Sequence, residues 1–215
     1  LQKLVDDDLS PMPFMGCATF SVEMAQAKVA RLSVTGELGY EISVRASEHI
    51  ALRRALLEAG ADLGLKEIGY NALNSLRLEK SFGIWSREFT QDRTPGMTGM
   101  DRWIAWDKGD FTGRAAATAE RDGTGPAQVL VPLGIEADDA DASGYEPVWK
   151  DGKRVGFVTS GGYGHTIGQS LAMAMVDTDQ ATPGNDLAVH VVGVERAAKV
   201  LDPSPYDPTG QAMRA

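Results

Sequence analysis

Gly36 and Gly39 sit between two runs of alternating apolar residues, 28–35 and 40–45, and this feature narrows the choice of fold more than any other in the chain. Alternation on both sides of paired glycines predicts a β-hairpin, because glycine takes positive φ without steric cost. In the second arm Tyr40, Ile42 and Val44 share one face, and Glu41 and Ser43 the other. Glu41 therefore leaves the apolar face just beyond a tight turn, where it meets either bulk water or a polar cavity. Position alone leaves both open and favours water.

The elements around the hairpin follow from period and punctuation. Residues 1–22, with Asp6, Asp7 and Asp8 ahead of Ser10-Pro11-Met12-Pro13, read as a helix start or a loop with solvated carboxylates. Ser47 is placed to cap a helix running to about Ala59 and ended by Gly60. A second helix is expected over 68–81, with Ile68, Ala72, Leu73 and Leu76 as its buried face. Asn74, Arg77 and Ser81 fall on another face, and Arg77 and Glu79 are the default ion pair near its end. Residues 82–99 are irregular, 103–107 alternate like a short strand, and an alanine-rich helix follows Thr112-Gly113-Arg114 to about Glu120. Trp85, Trp103 and Trp106 are expected to pack between layers.

The cluster Arg121-Asp122-Gly123-Thr124-Gly125-Pro126 reads as a linker. Beyond it the period changes to short strand-like runs at 127–133, 146–150, 154–159, 170–176, 186–192 and 196–201, with Asp151-Gly152 as a two-residue hairpin turn. Such spacing predicts a small barrel or sandwich.

Composition mostly excludes. The chain has 215 residues and a net charge of −9, which argues against nucleic-acid phosphates and anionic membrane surfaces as partners. No apolar run approaches the ~20 residues of a membrane span. Cys17 is the single cysteine, so no intrachain disulfide can form and a reducing compartment is expected. The chain opens Leu-Gln-Lys-Leu without an initiator Met, as if continuing something longer. The glycine-rich run 161–168 fits neither the dinucleotide fingerprint nor the P-loop, and reads as a barrel connection. His49, His165 and His190 are scattered without ligand spacing, so no metal site is expected. The acidic group Asp138, Asp139 and Asp141 lacks the spacing of a calcium loop and reads as a solvated turn. Glu41 is the one residue where position and chemistry can meet. A carboxylate accepts two parallel hydrogen bonds, which matches flat rings presenting an amino group beside a ring N–H, as pterins and guanines do.

Four segments carry a resemblance: Thr35-Gly36-Glu37-Leu38-Gly39-Tyr40-Glu41, Ala72-Leu73-Asn74-Ser75-Leu76-Arg77-Leu78-Glu79-Lys80, Asp110-Phe111-Thr112-Gly113-Arg114 and Thr159-Ser160-Gly161-Gly162. In order and spacing the chain resembles the glycine-cleavage aminomethyltransferase (T-protein) family. The likeness is closest to the C-terminal folate-binding region of dimethylglycine and sarcosine dehydrogenases. The resemblance implies an α+β fold: a folate-binding aminomethyltransferase-like portion, N-terminally incomplete, over 1–122, then a small antiparallel β-barrel over 123–215. It implies tetrahydrofolate as cofactor, with Glu41 on the pterin and the backbone of Ile42 and Ser43 in the same pocket. Val34 and Arg102 fall where the family places tyrosines against the folate, and Met97 where it has a glutamate. Leu73 stands where the transferases proper carry a ligand-binding arginine and the dehydrogenase branch an apolar residue.

The family's catalytic aspartate lies further upstream of the hairpin than the residues preceding Leu32 reach, so no catalytic residue is expected in this chain. No flavin fingerprint occurs either. FAD is expected only in a part of the protein not present here, and a small N-methyl amine would bind through that missing N-terminal part. The implied function is the one-carbon-transfer region of a flavin-dependent N-methyl-amine dehydrogenase, in the bacterial cytoplasm or the mitochondrial matrix. The alternatives are a separate aminomethyltransferase subunit and a non-catalytic folate-binding module. Relatives of the latter kind carry a cysteine motif near 110–114, where this chain has no cysteine.

Overall fold

In the computed structural model, which describes residues 1–215, the paired glycines do join two strands, with a longer connection and one more strand than their spacing implies. Cys17–Val22 forms β1, Ala25–Ala30 β2 and Glu41–Ser43 β3, in an antiparallel sheet of order β1-β2-β3. The expectation of a helix start or loop over 1–22 is thus corrected at its end. Ala18, Phe20 and Val22 alternate with Thr19 and Ser21, and that alternation is the strand signal. The connection 31–40 is a loop folded on itself. The Ser33 hydroxyl accepts the Gly36 N–H at 2.9 Å, and a β-carbon on Gly39 would lie 2.7 Å from the Leu32 carbonyl oxygen.

The sheet buries Val22, Ala27 and Val29 against Leu52 of α1 (His49–Gly60) and against Val5 and Leu9. Each such Val or Leu side chain contributes about 1.5–3 kcal/mol when fully buried. Ser47 makes no capping bond. It lies in a 3₁₀ turn, Ala46–Glu48, where Glu48 reaches back to the Arg45 N–H at 3.3 Å. Gly60 is the last residue of the α-helix, as expected, but it is not a left-handed cap: it is buried against Leu65, and the chain leaves the following 3₁₀ turn at Gly64, with φ 72°.

Two compact units emerge, Leu1–Leu73 with Thr209–Ala215, and Asn74–Pro208. The division falls inside α2, Tyr70–Glu79. The buried face foreseen for this helix is wrong. Ile68 and Ala72 are exposed, whereas Ser75, Arg77, Leu78 and Glu79 are buried.

In the second unit β4 (Gln128–Ile135), β5 (Pro147–Lys150), β6 (Lys153–Gly164), β7 (Gln169–Asp177), β8 (Asp186–Val191) and β9 (Val194–Val200) close an antiparallel barrel of order β4-β7-β6-β5-β8-β9. Asp151 and Gly152 both take left-handed φ, 48° and 73°, as the mirror-image hairpin turn requires. Alternation fills the interior with Leu133, Ile135, Val148, Val158, Ala172, Ala174 and Val189. Leu171, Met173 and Met175 point outward yet are equally buried, which makes β7 a run of apolar residues without alternation in burial.

Only the second half of the glycine-rich run is the expected connection: Gly161–Gly164 complete β6, and residues 165–168 form the turn to β7. A β-carbon on Gly161 would lie 2.8 Å from the Ala142 carbonyl carbon and 3.1 Å from its β-carbon. Gly161→Ala is therefore expected to cost about 1–3 kcal/mol through overpacking, read as a lower denaturation midpoint at unchanged slope. An unaltered midpoint would mean that Ala142 gives way freely.

Residues 103–107 do not form a strand. A 3₁₀ turn, Asp101–Trp103, is followed by bends, and no strand lies alongside. The Arg114 guanidinium takes the carbonyls of Trp106 and Gly109, at 3.2 and 2.8 Å, that a ladder would have used. Trp85 and Trp103 do not pack between layers but are 75% and 66% exposed, and Trp106 lies 4.2 Å beneath the Arg121 guanidinium. A short helix α3, Pro95–Thr98, is capped by Thr94, and α4, Arg114–Asp122, ends at Gly123. No helix is long and apolar enough to cross a membrane.

Candidate functional site

Glu41 opens β3, opposite Ala30 of β2. Tyr40, Ile42 and Val44 turn towards the core of the first unit, so Glu41 and Ser43 face outward, as the alternation requires. No hydrogen bond or ion pair engages the Glu41 carboxylate, which is exposed at the exit of the glycine loop. Val34, 39% exposed, sits on that loop. Four of the five candidate residues, Val34, Glu41, Ile42 and Ser43, thus share one continuous loop-and-strand segment. Arg102 does not: it belongs to the second unit, exposed in the 3₁₀ turn, with its Cζ 5.7 Å from the Trp103 ring centre.

What this segment can do chemically is limited and specific. An unpartnered carboxylate held on a strand offers two acceptor oxygens and no donor. A ligand edge bearing two adjacent N–H groups complements it, and the half-buried Ile42 keeps the strand anchored behind. The pair of acceptor oxygens therefore fits the N–H edge of a pterin.

A second polar constellation lies wholly within the second unit, and the sequence did not foreshadow it. Glu88 is fully buried. One carboxylate oxygen accepts from Thr159 and Ser160 hydroxyls at 2.6 and 2.5 Å, and the other from the Ile84 N–H at 2.9 Å. The guanidinium of buried Arg77 lies 3.4 Å from that second oxygen and donates to Asn74 Oδ1 at 2.7 and 3.0 Å. The expected Arg77–Glu79 pair is thus replaced. Glu79 instead accepts the N–H groups of Thr166 and Ile167, at 2.6 and 3.0 Å. Ser75 donates to the Tyr163 carbonyl at 2.5 Å and Asn74 to the Gly161 carbonyl at 3.3 Å. The polar face of α2 therefore holds the glycine-rich end of β6, where small residues allow the helix to approach. These groups saturate one another, which marks them as structural.

The histidines stand apart. His49 begins α1, His165 lies in the β6–β7 turn with its ring 5.1 Å from Tyr163, and His190 is on β8. No three His, Cys, Asp or Glu side chains gather as a metal site would require.

Comparison with known proteins bears on both units. The GCVT N-terminal domain model matches residues 1–108, and the glycine cleavage T-protein C-terminal barrel domain model matches residues 129–207. The mitochondrial dimethylglycine dehydrogenase of Rattus norvegicus is 37% identical over 204 residues, 94% of this chain and 24% of that protein. The aminomethyltransferase of Streptomyces coelicolor is 37% identical over 189 residues, 86% of this chain and 50% of that protein. The crystal structure of glycine cleavage system aminomethyltransferase T from Bartonella henselae superposes with a TM-score of 0.81 at 25% identity, covering 92% of this chain and 54% of that one. The chain thus spans about a quarter of the dehydrogenase and about half of the transferases.

Proposed function

The chain belongs to the glycine cleavage T-protein family, homologous to both dimethylglycine dehydrogenases and aminomethyltransferases, and on that premise we propose that it is the tetrahydrofolate-binding, one-carbon-transfer region of a flavin-dependent N-methyl-amine dehydrogenase. The observation that carries the reading is the unpartnered Glu41 carboxylate at the exit of the glycine loop. Glu41 holds the pterin by its amino and ring N–H groups, the backbone of Ile42 and Ser43 borders the ring, and Val34 completes the contacts. Tetrahydrofolate, when bound, supplies the nitrogens that accept the one-carbon unit. Apolar Leu73, where the transferases resembled carry an arginine, favours the dehydrogenase branch. Oxidation and amine recognition belong to a flavin-bearing portion outside this stretch, in a reducing compartment.

On this reading the chain positions folate and does not by itself oxidise. Purified chain given tetrahydrofolate, dimethylglycine or sarcosine, and an artificial electron acceptor should leave the acceptor unreduced. It should also form no methylenetetrahydrofolate above a no-protein control. Reduction of the acceptor would contradict the assignment of oxidation to another portion. Transfer from an aminomethyl donor without flavin would favour the separate-transferase reading.

The division of the chain at 122/123 is part of the same proposal. Residues 121–124 are exposed and α4 stops at Asp122. Trypsin should therefore cut first after Arg121. The two pieces should then co-elute, because both flanks of the cut belong to one compact unit, Asn74–Pro208. First cleavage elsewhere would argue against an exposed linker here.

A further inference from the structure

The barrel carries a groove that the folate reading does not use. The β5–β8 seam is the shortest in the barrel, with only Val148↔Val189 and Trp149↔Ala188, and β5 is bulged at Val148/Trp149 on its other side. The strands splay there and leave a cavity of about 560 Å³ on the outer face, of small-molecule size. Val148 and Val189 point into the barrel, so Trp149, Ala188 and His190 point outward and line the groove. The Trp149 and His190 rings stand 5.5 Å apart at 37° and form an aromatic wall. Asp151, Asp186 and Glu195 border it, against the single lysine Lys150.

The charge left over in the groove is one-sided, three carboxylates against one lysine of its lining. Lys150 Nζ donates to the Asp186 carbonyl at 2.7 Å, and Lys199 to the Asp186 carboxylate, which it holds below the usual carboxylate range. A carboxylate can only accept, so His190 presents Nε2–H to Glu195, at 3.0 Å. The indole N–H of Trp149 has no partner but is sealed from solvent. Both lysines are therefore turned towards Asp186. What remains beside the aromatic wall is the Asp151 carboxylate and the spare acceptor positions of Glu195. A cationic ligand complements these acceptors.

We propose that this seam is a binding site for a small organic cation, a protonated amine or guanidinium carried on a flat apolar body. The body lies against Trp149 and His190, and the cation between Asp151 and Glu195. The site is independent of Glu41 and of folate.

The test is a titration of the ¹⁵N-labelled full chain with benzylammonium and, separately, with its neutral analogue benzyl alcohol. The Trp149 indole resonance is assigned by its loss in Trp149→Phe. Benzylammonium should shift that resonance and bind about fivefold more tightly than the alcohol, a preference of the size that exposed ion pairs with Asp151 and Glu195 give. Asp151→Asn combined with Glu195→Gln should abolish the preference while the rest of the spectrum stays in place, since Asn-Gly suits the same left-handed turn. Equal affinity for amine and alcohol would overturn the proposal. So would an unmoved Trp149 resonance, or a preference that survives the double substitution.

Discussion

Glu88→Ala should lower the stability of the protein by about 3–5 kcal/mol, the cost of breaking a buried pair by removing one partner. Glu88 and Arg77 are 0% and 1% exposed, so water cannot replace the lost carboxylate. The substitution removes the carboxylate facing the Arg77 guanidinium, deprives the Ser160 hydroxyl of its acceptor and frees the Ile84 N–H. Thr159 keeps the Met173 carbonyl, and Arg77 keeps Asn74 and the Phe82 carbonyl, so the loss falls on the uncompensated charge, Ser160 and Ile84. For a chain of this length the melting midpoint should fall by about 10 °C. Glu88→Gln should cost less, because the side chain can still accept from a hydroxyl while losing the charge that faces Arg77. The contrast is the exposed pair Arg53–Glu67. Its bonds, at 2.8 and 2.6 Å, are better formed than the 3.4 Å contact in the core. Yet Glu67→Ala should cost far less than Glu88→Ala, because both side chains are more than half exposed and screened. Burial, not bond length, decides the ranking. Equal losses from the two alanine substitutions would contradict it.

The two halves of the fold differed in how readily they could be read. Five of the six barrel strands were legible to within two residues, because Gly, Pro or Asp turns separate the runs, whereas β6 continues five residues beyond its expected end, through the glycines. The Asp151-Gly152 turn was legible for the same reason. The fold around α2 was not. Pattern reading assumes that charged residues face water, and here Arg77, Glu79 and Lys80 are buried while Ile68 and Ala72 are exposed. Such burial is tolerable only because each charge meets a partner far along the chain: Glu88 for Arg77, the 166–167 backbone for Glu79, and the Tyr206 and Asp207 carbonyls for Lys80. No local periodicity encodes such partners, and Glu88 carried no sequence signal at all. The glycines at 161–164 were visible, but their reason, close approach of a helix face, was not. At the candidate site the outward direction of Glu41 was legible from alternation. The folded loop before it was not, since Ser33 and the Leu32 carbonyl shape it by contacts that spacing does not express.

Glu41→Gln carries the second large expectation. A bidentate, charge-assisted pair would be replaced by a neutral amide, whose –NH₂ faces the ligand's own donors. Losing it should weaken tetrahydrofolate binding by about 1.5–3 kcal/mol, roughly ten- to 150-fold. Stability should be nearly untouched, because the carboxylate has no partner within the protein to lose. This separation of effects distinguishes a ligand-holding residue from a structural one. The most direct measurement is calorimetric titration of tetrahydrofolate into full-length protein, wild type and Glu41→Gln, with thermal melts of both. Folate binding that weakens at least tenfold at an unchanged melting temperature is the predicted result. Equal affinities for the two proteins would contradict it and return Glu41 to the role of a solvent-facing strand residue.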